Sequence, residues 1–281
     1  MAENQLYVVA TPIGNLADIS ARAQQVFEAV DVIAAEDTRH TKRLLNHLGV
    51  SKPLLAVHDH NEQQAAQVLL DRLSQGQNVA LVSDAGTPLI ADPGYHVLKQ
   101  VVDAGYSVVP VPGPCAVITA LCASALPTDR FIFDGFLPPK SGARQQYFQS
   151  VSNQERTLVV YESPHRILAS LADMQTVLGD EREIVLAREL TKTFETFLRG
   201  SIGEVRTMVE ADANQQRGEF VVMIRGVPQA KKQDVSDEAI QLLKVLAEEL
   251  PLKQAAALTA KATGFKKNKL YQIGLDWQRE D

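Results

Sequence analysis

The chain has 281 residues, 45% of them hydrophobic and 22% charged, which gives room for two modest globular domains and excludes a largely disordered polypeptide. Its formal net charge of -6 rules out nucleic-acid binding through the overall field, so any such affinity must come from a local basic patch. Cys115 and Cys122 are too few for a disulfide framework, and no signal segment or run of membrane-spanning length is expected, so a reduced, cytoplasmic setting without a membrane partner follows.

In chain order, short apolar runs at 6–10, 32–35, 54–57, 79–82 and 108–111 read as strands buried on both faces. Each runs into a polar, Gly- and Pro-rich knot: TPIGN, EDTRHT, HDHNE, SDAGTPLIADPG and PGPCA. Helical patterns at 18–30, 61–74 and 95–104 alternate with them, which predicts βαβ units and a mostly parallel sheet in an α/β domain. Ligands of such sheets bind outside the carboxyl ends of the strands, so Asp84, Gly86, Thr87 and Pro88 fall on an expected binding edge. The helix after 111 carries Cys115 and Cys122, read as packed core thiols.

Residues 125–146 break this rhythm and mark a crossing into a second α/β domain. Its predicted strands are 157–161, 184–187 and 220–224, with helices at 166–177 and 202–209. Polar clusters ESPHR and RELTKTFE close two of these strands, and a cleft between the domains is expected. A polar linker at 226–237 leads to a helix at 237–250, a break at Pro251 and two short helices around Gly264, a helix-turn-helix-like bundle. The expected domains are therefore 1–126, 127–228 and 229–281. Lys253, Lys261, Lys266, Lys267 and Lys269 stand between Leu252 and Leu270 with no acid among them, which points to a nucleic-acid contact.

The strings TPIGNLADIS, AAEDTRHT, HDHNE, LVSDAGTPLIADPG, PVPGPCA, GFLPPK, YESPHR, ARELTKTFE and GEFVVMIRG closely resemble the tetrapyrrole-methylase superfamily of S-adenosylmethionine-dependent methyltransferases, and within it the ribosomal small-subunit methyltransferase I family. The resemblance implies a two-domain fold with the cofactor cleft between the domains, a small C-terminal helical domain and a homodimer. It also implies methyl transfer from S-adenosylmethionine to the ribose 2′-hydroxyl of a cytidine in the decoding region of 16S rRNA, within the small ribosomal subunit and not on DNA.

Carried over residue by residue, the superfamily's first loop falls on Pro12, Ile13 and Gly14. Its Gly-Asp-Pro string falls on Gly86, Thr87 and Pro88, so Thr87 stands where related methylases carry an acid and Asp84 is the nearby carboxylate. Pro112, Gly113, Cys115 and Ala116 match the segment beside the cofactor's methionine part, and Tyr161, Leu190 and Glu219 lie where its adenosine should rest. At Gly86 and Gly113 a side chain would fill space in which backbone must approach the ligand.

A ribose hydroxyl is a poor nucleophile, so a proton acceptor is expected among Asp37, His60, Glu36 and Asp59, or at Lys192 if burial keeps it neutral. His58, Asp59 and His60 do not form a convincing metal site, since further ligands are not evident, and methyl transfer from a sulfonium needs no metal. TPIGNLADI lacks the glycine spacing of a dinucleotide site. Two other readings stay open: a methylase of small tetrapyrroles, which has no use for a basic tail, and a non-catalytic ribosome-binding factor.

Overall fold

The computed structural model describes residues 4–58, 61–228 and 235–280. The chain divides into two compact units, Met1–Val227 and Pro228–Asp281. In the larger unit β1 (Gln5–Val9), β2 (Val32–Ala35), β3 (Leu54–Ala56), β4 (Val79–Val82) and β5 (Ser107–Val111) form a parallel sheet in the order β3-β2-β4-β1-β5. Helices α1 (Ala21–Ala29) and α2 (Thr38–Leu48) cover one face, packing on Tyr7, Val9, Ile33, Ala35, Ala80 and Val82. Helices α3 (Glu62–Ser74) and α4 (Tyr95–Asp103) cover the other, against Leu6, Val32, Ala34, Val79 and Leu81. Alternate residues of one strand thus feed opposite cores, which is why these strands read as continuous apolar runs.

This topology places a crevice. From β1 the chain steps through β2 to β3 in one direction along the sheet, and from β3 it returns through β4 to β5. Right-handed crossovers then force the helices of the two legs onto opposite faces. Neighbours β1 and β4 therefore send their exit loops apart, which defines a switch point between them. The loops stay tied at their roots, where Thr11 and Gly86 exchange backbone hydrogen bonds of 2.9 and 3.0 Å.

Helix α2 was not anticipated by the sequence pattern. Asp37 starts it by accepting from the Arg39 backbone N–H at 2.8 Å, and Gly49, with φ of 70°, ends it. The predicted helix at 18–30 is shorter than expected, because a 3-10 turn at Leu16–Asp18 precedes a fresh N-cap at Ser20.

After β5 a short helix, α5 (Ala116–Cys122), leads to a second sheet of β6 (Phe131–Phe136), β7 (Thr157–Glu162), β8 (Glu183–Arg188), β9 (Thr196–Ser201) and β10 (Phe220–Ile224). Its order is β6-β7-β10-β8-β9, with only β6 and β7 parallel. Strands β6 and β9 are both edges and neither was predicted. Edge positions are half exposed and lack the buried apolar run, and β6 is further disguised by a register shift between Phe133 and Phe136. Helices α6 (Ser141–Ser150), α7 (Ile167–Leu178) and α8 (Ile202–Ala211) pack on one face of this sheet, while α5 packs on the other against Val159, Val185, Val221 and Met223. Cys122 is exposed on α5 and is not the core thiol expected, while Cys115, half-buried at the N-cap, packs against this cluster.

A buried ion pair locks α6 to α7. Arg144 donates from Nε to Asp173 Oδ2 at 2.7 Å and from Nη1 to the carbonyls of Pro138 and Pro139 at 3.3 Å, while Ser141 and Gln145 satisfy the second carboxylate oxygen. Removing one partner strands a buried charge, so Asp173→Ala should cost about 3–5 kcal/mol of stability, measured by denaturant unfolding. A loss under about 1 kcal/mol would show that water reaches the pair.

The smaller unit holds α9 (Asp237–Glu249), α10 (Leu252–Thr263) and α11 (Lys267–Glu280) around Ala239, Leu243, Ala255, Ala256 and Leu270. Ser236 caps α9, and Gly264 closes α10 with φ of 77°. Lys253, Lys261, Lys266, Lys267 and Lys269 are all exposed.

Candidate active site

A cavity of about 300 Å³ opens at the switch point. The first sheet contributes Ile13 after β1, the 85–87 and 90–92 segments after β4, and Cys115 and Ala116 after β5. Across from them stand Phe136, Tyr161 and Leu190 at the carboxyl ends of β6, β7 and β8, and Glu219, Phe220 and Val221 at the amino end of antiparallel β10. Tyr161 stacks edge-on with Phe133 and Phe136 at 4.9 and 5.4 Å between centroids, forming an aromatic wall. Burial pushes the Tyr161 phenol pKa well above its ordinary range.

Of the expected binding residues, Ile13, Gly86, Thr87, Cys115, Ala116, Tyr161, Leu190 and Glu219 line this cavity. Pro12, Gly14, Asp84, Pro88, Pro112 and Gly113 are not in its lining. Gly86 has φ of 86°, and a Cβ there would meet Ile13 Cγ2 at 3.3 Å. At Gly113 a Cβ would meet Ala10 Cβ at 3.0 Å, so the missing side chain also lets the β5 exit pack on β1. A Cβ on Gly14 would come within 2.8 Å of Thr191 Oγ1, the hydroxyl that accepts from Asn15 N–H at 3.1 Å. The first loop is thereby clasped to the loop after β8.

Two proposed proton acceptors are engaged elsewhere. Asp37 is spent on capping α2 and on Arg39, 2.7 Å away, whose hydrogen bonds hold its carboxyl well below the usual carboxylate range. For Lys192, burial disfavours the charge, but Glu189 at 2.9 Å and Glu219 at 3.0 Å outweigh it and raise the pKa. Lys192 is therefore an ammonium and not the neutral amine the base role required. Asp59 and His60 lie outside the described residues. No group of metal-binding side chains occurs among the described residues, and no described helix is long and apolar enough to cross a membrane.

Residues 5–206 match the family model for tetrapyrrole (corrin/porphyrin) methylases, and 233–278 match the RsmI C-terminal HTH domain. The chain belongs to the tetrapyrrole methylase family. It is 55% identical over 271 residues to Ribosomal RNA small subunit methyltransferase I of Haemophilus influenzae, covering 96% of each chain. To the protein of that name from Vibrio cholerae it is 56% identical over 271 residues, 96% of this chain and 94% of the relative. Among solved structures, the cobalamin biosynthetic enzyme cobalt precorrin-4 methyltransferase superposes with a TM-score of 0.59 at 15% identity, over 79% of this chain and 95% of that one, a likeness of fold. The chain is thus a methyltransferase of the small-subunit rRNA group.

Within this methylase the Thr87 departure has a structural answer. Its hydroxyl donates to the Pro114 carbonyl at 3.0 Å and ties the β4 loop to the β5 loop. Asp84 is outside the cavity lining and accepts from Asp37 N–H at 2.9 Å through Oδ1. The carboxylates on the cavity wall are Asp92, Glu162 and Glu219, of which the sequence reading singled out only Glu219. Glu162 is consumed by Ser163 N–H at 2.7 Å, Arg166 Nε at 2.9 Å and Ser170 Oγ at 2.5 Å. Asp92 has no ion pair among the described residues, and burial raises its pKa, offset in part by the Ser83 hydroxyl and reinforced by Asp84.

Proposed function

We propose that the chain transfers a methyl group from S-adenosylmethionine to the ribose 2′-hydroxyl of a cytidine in the decoding region of 16S rRNA, acting as a cytoplasmic homodimer on the small ribosomal subunit. The observation that carries this reading is a largely apolar cavity with an aromatic wall at the switch point of a chain similar along 96% of its length to small-subunit rRNA methyltransferases. The cavity residues fit such a donor: the ring cluster at Tyr161 offers stacking for a purine, and Asp92 offers negative charge to a cation. When bound, the sulfonium supplies a methyl carbon already activated toward an oxygen nucleophile.

Ile13, Leu190 and Val221 exclude water, and Gly86 leaves the wall free of a side chain beside Ile13. Held there, the donor would give its methyl carbon to the hydroxyl oxygen and leave as a neutral thioether, with the hydroxyl proton passing to an acceptor side chain or to water. With Asp37 and Lys192 held in ion pairs, positioning supplies much of the rate and His60 is the acceptor to test. The deciding experiment is labelled methyl transfer to small subunits from a strain lacking the activity, followed by mapping of the product nucleoside. A label on a base, or none, overturns the reading.

The Asp92 assignment carries a pH dependence. A cationic donor favours the carboxylate, so donor affinity should rise with pH through the raised pKa of Asp92 and level off above it. Asp92→Asn should bind more weakly and lose that dependence in calorimetric titrations. An identical profile in the variant would remove Asp92 from the donor site.

A further inference from the structure

Helix α2 carries no acidic residue from Thr38 to Leu48, in a chain whose net charge is -6. Its buried stripe is Thr41, Leu44 and Leu45, and its outer stripe, at spacings of three and four, is Arg39, Lys42, Arg43 and Asn46, all exposed. The Arg39 guanidinium is neutralised by Asp37, but neither Lys42 nor Arg43 makes an ion pair among the described residues. At the far end of the helix lies a second recess of about 290 Å³, with Lys42 and Asn46 on one side and Ser51 and Lys52 on the other. Lys52 also has no ion pair among the described residues. The helix starts at the carboxyl end of β2, where Asp37 N–H is bonded to Asp84 of the cavity-forming β4 loop, and it runs back about 16 Å at 1.5 Å per residue.

We propose that this α2 stripe and its recess form a docking track for the sugar–phosphate backbone of the substrate RNA, leading to the cavity edge from the α/β unit itself. The proposal rests on the RNA methyltransferase reading above. Lys42, Arg43 and Lys52, none of them ion-paired among the described residues, with Asn46 and Ser51 beside Lys42 and Lys52 in the recess as short hydrogen-bond donors, match a phosphate chain in charge and in chemistry. A protein partner would be expected to find apolar anchors on the exposed stripe, and there are none.

The test compares the full-length wild type with Lys42→Ala/Arg43→Ala/Lys52→Ala and with a control that loses the same charge at exposed sites elsewhere, Lys99→Ala/Arg130→Ala/Arg156→Ala. The track variant should raise the KM for small subunits and flatten the plot of log affinity against log salt by about 2 units, with donor affinity by calorimetry as in the wild type. Lys42→Arg/Lys52→Arg should restore the slope. The control should change neither. An unchanged slope and KM in the track variant, with wild type still methylating subunits, overturns the track and leaves the enzyme reading standing. Equal effects in the control would reduce the stripe to net charge and overturn it as well. Inorganic phosphate binding at the recess without any change in RNA affinity would show a small-anion site and also overturn it. If the wild type fails to methylate subunits, the track falls together with the reading on which it rests.

Discussion

Gly86→Leu is expected to abolish donor binding in a protein that still folds. The residue sits at φ of 86°, where a side chain costs about 1–2 kcal/mol of backbone strain, and its Cβ would press on Ile13 in the cavity wall. Calorimetry should show no heat of donor binding, and the far-ultraviolet dichroism should match wild type. Gly113→Leu makes the contrast: its side chain would collide with Ala10 at the β1–β5 junction, so stability should fall before affinity is in question. Wild-type donor affinity in folded Gly86→Leu would move the ligand away from the β4 loop.

Truncation after Val227 should separate the two tasks of the chain. The larger unit contains every residue that lines the cavity and has its own cores, so donor affinity should survive. Subunit binding should weaken and lose salt dependence by about 0.7–0.9 in slope for each phosphate contact that the five exposed lysines make. Reversing Lys253, Lys261 and Lys266 to Glu in the full chain should have the same effect. A truncated enzyme that methylates subunits with an unchanged salt slope would refute an RNA role for the tail.

What could be read from the sequence follows from burial. Strands β2 and β4 were visible to the residue because both faces are covered and every side chain must be apolar. Helix α2 was hidden because its exposed stripe outnumbers its buried one, and β6 and β9 because an edge strand needs no continuous apolar run. Gly86 and Thr87 could be singled out since strand ends of a parallel sheet gather at one edge, whereas Ile13 and Cys115 came from the family resemblance. Asp92 could not: Leu89 and Ala91, with φ of 73° and 65°, turn the loop back on itself, and no local pattern announces that. Lys192 misled for a related reason. Besides Glu189, three residues away, its partner Glu219 lies 27 residues on, just before β10, and that second charge is visible only in the fold.

Helix α5 bears on how this architecture can be divided. It continues the loop that supplies Cys115 and Ala116 to the cavity, yet its apolar side, Val117, Ala120 and Leu121, is buried on the second sheet together with Ile13 of the first loop. A cut near residue 126 would leave that side uncovered on one fragment and Val159, Val185, Val221 and Met223 bare on the other. The halves of the larger unit are therefore not exchangeable modules. A chimera that joins the first sheet of one relative to the second sheet of another must carry α5 and its receiving surface as a matched pair, or it will lose solubility before it loses chemistry.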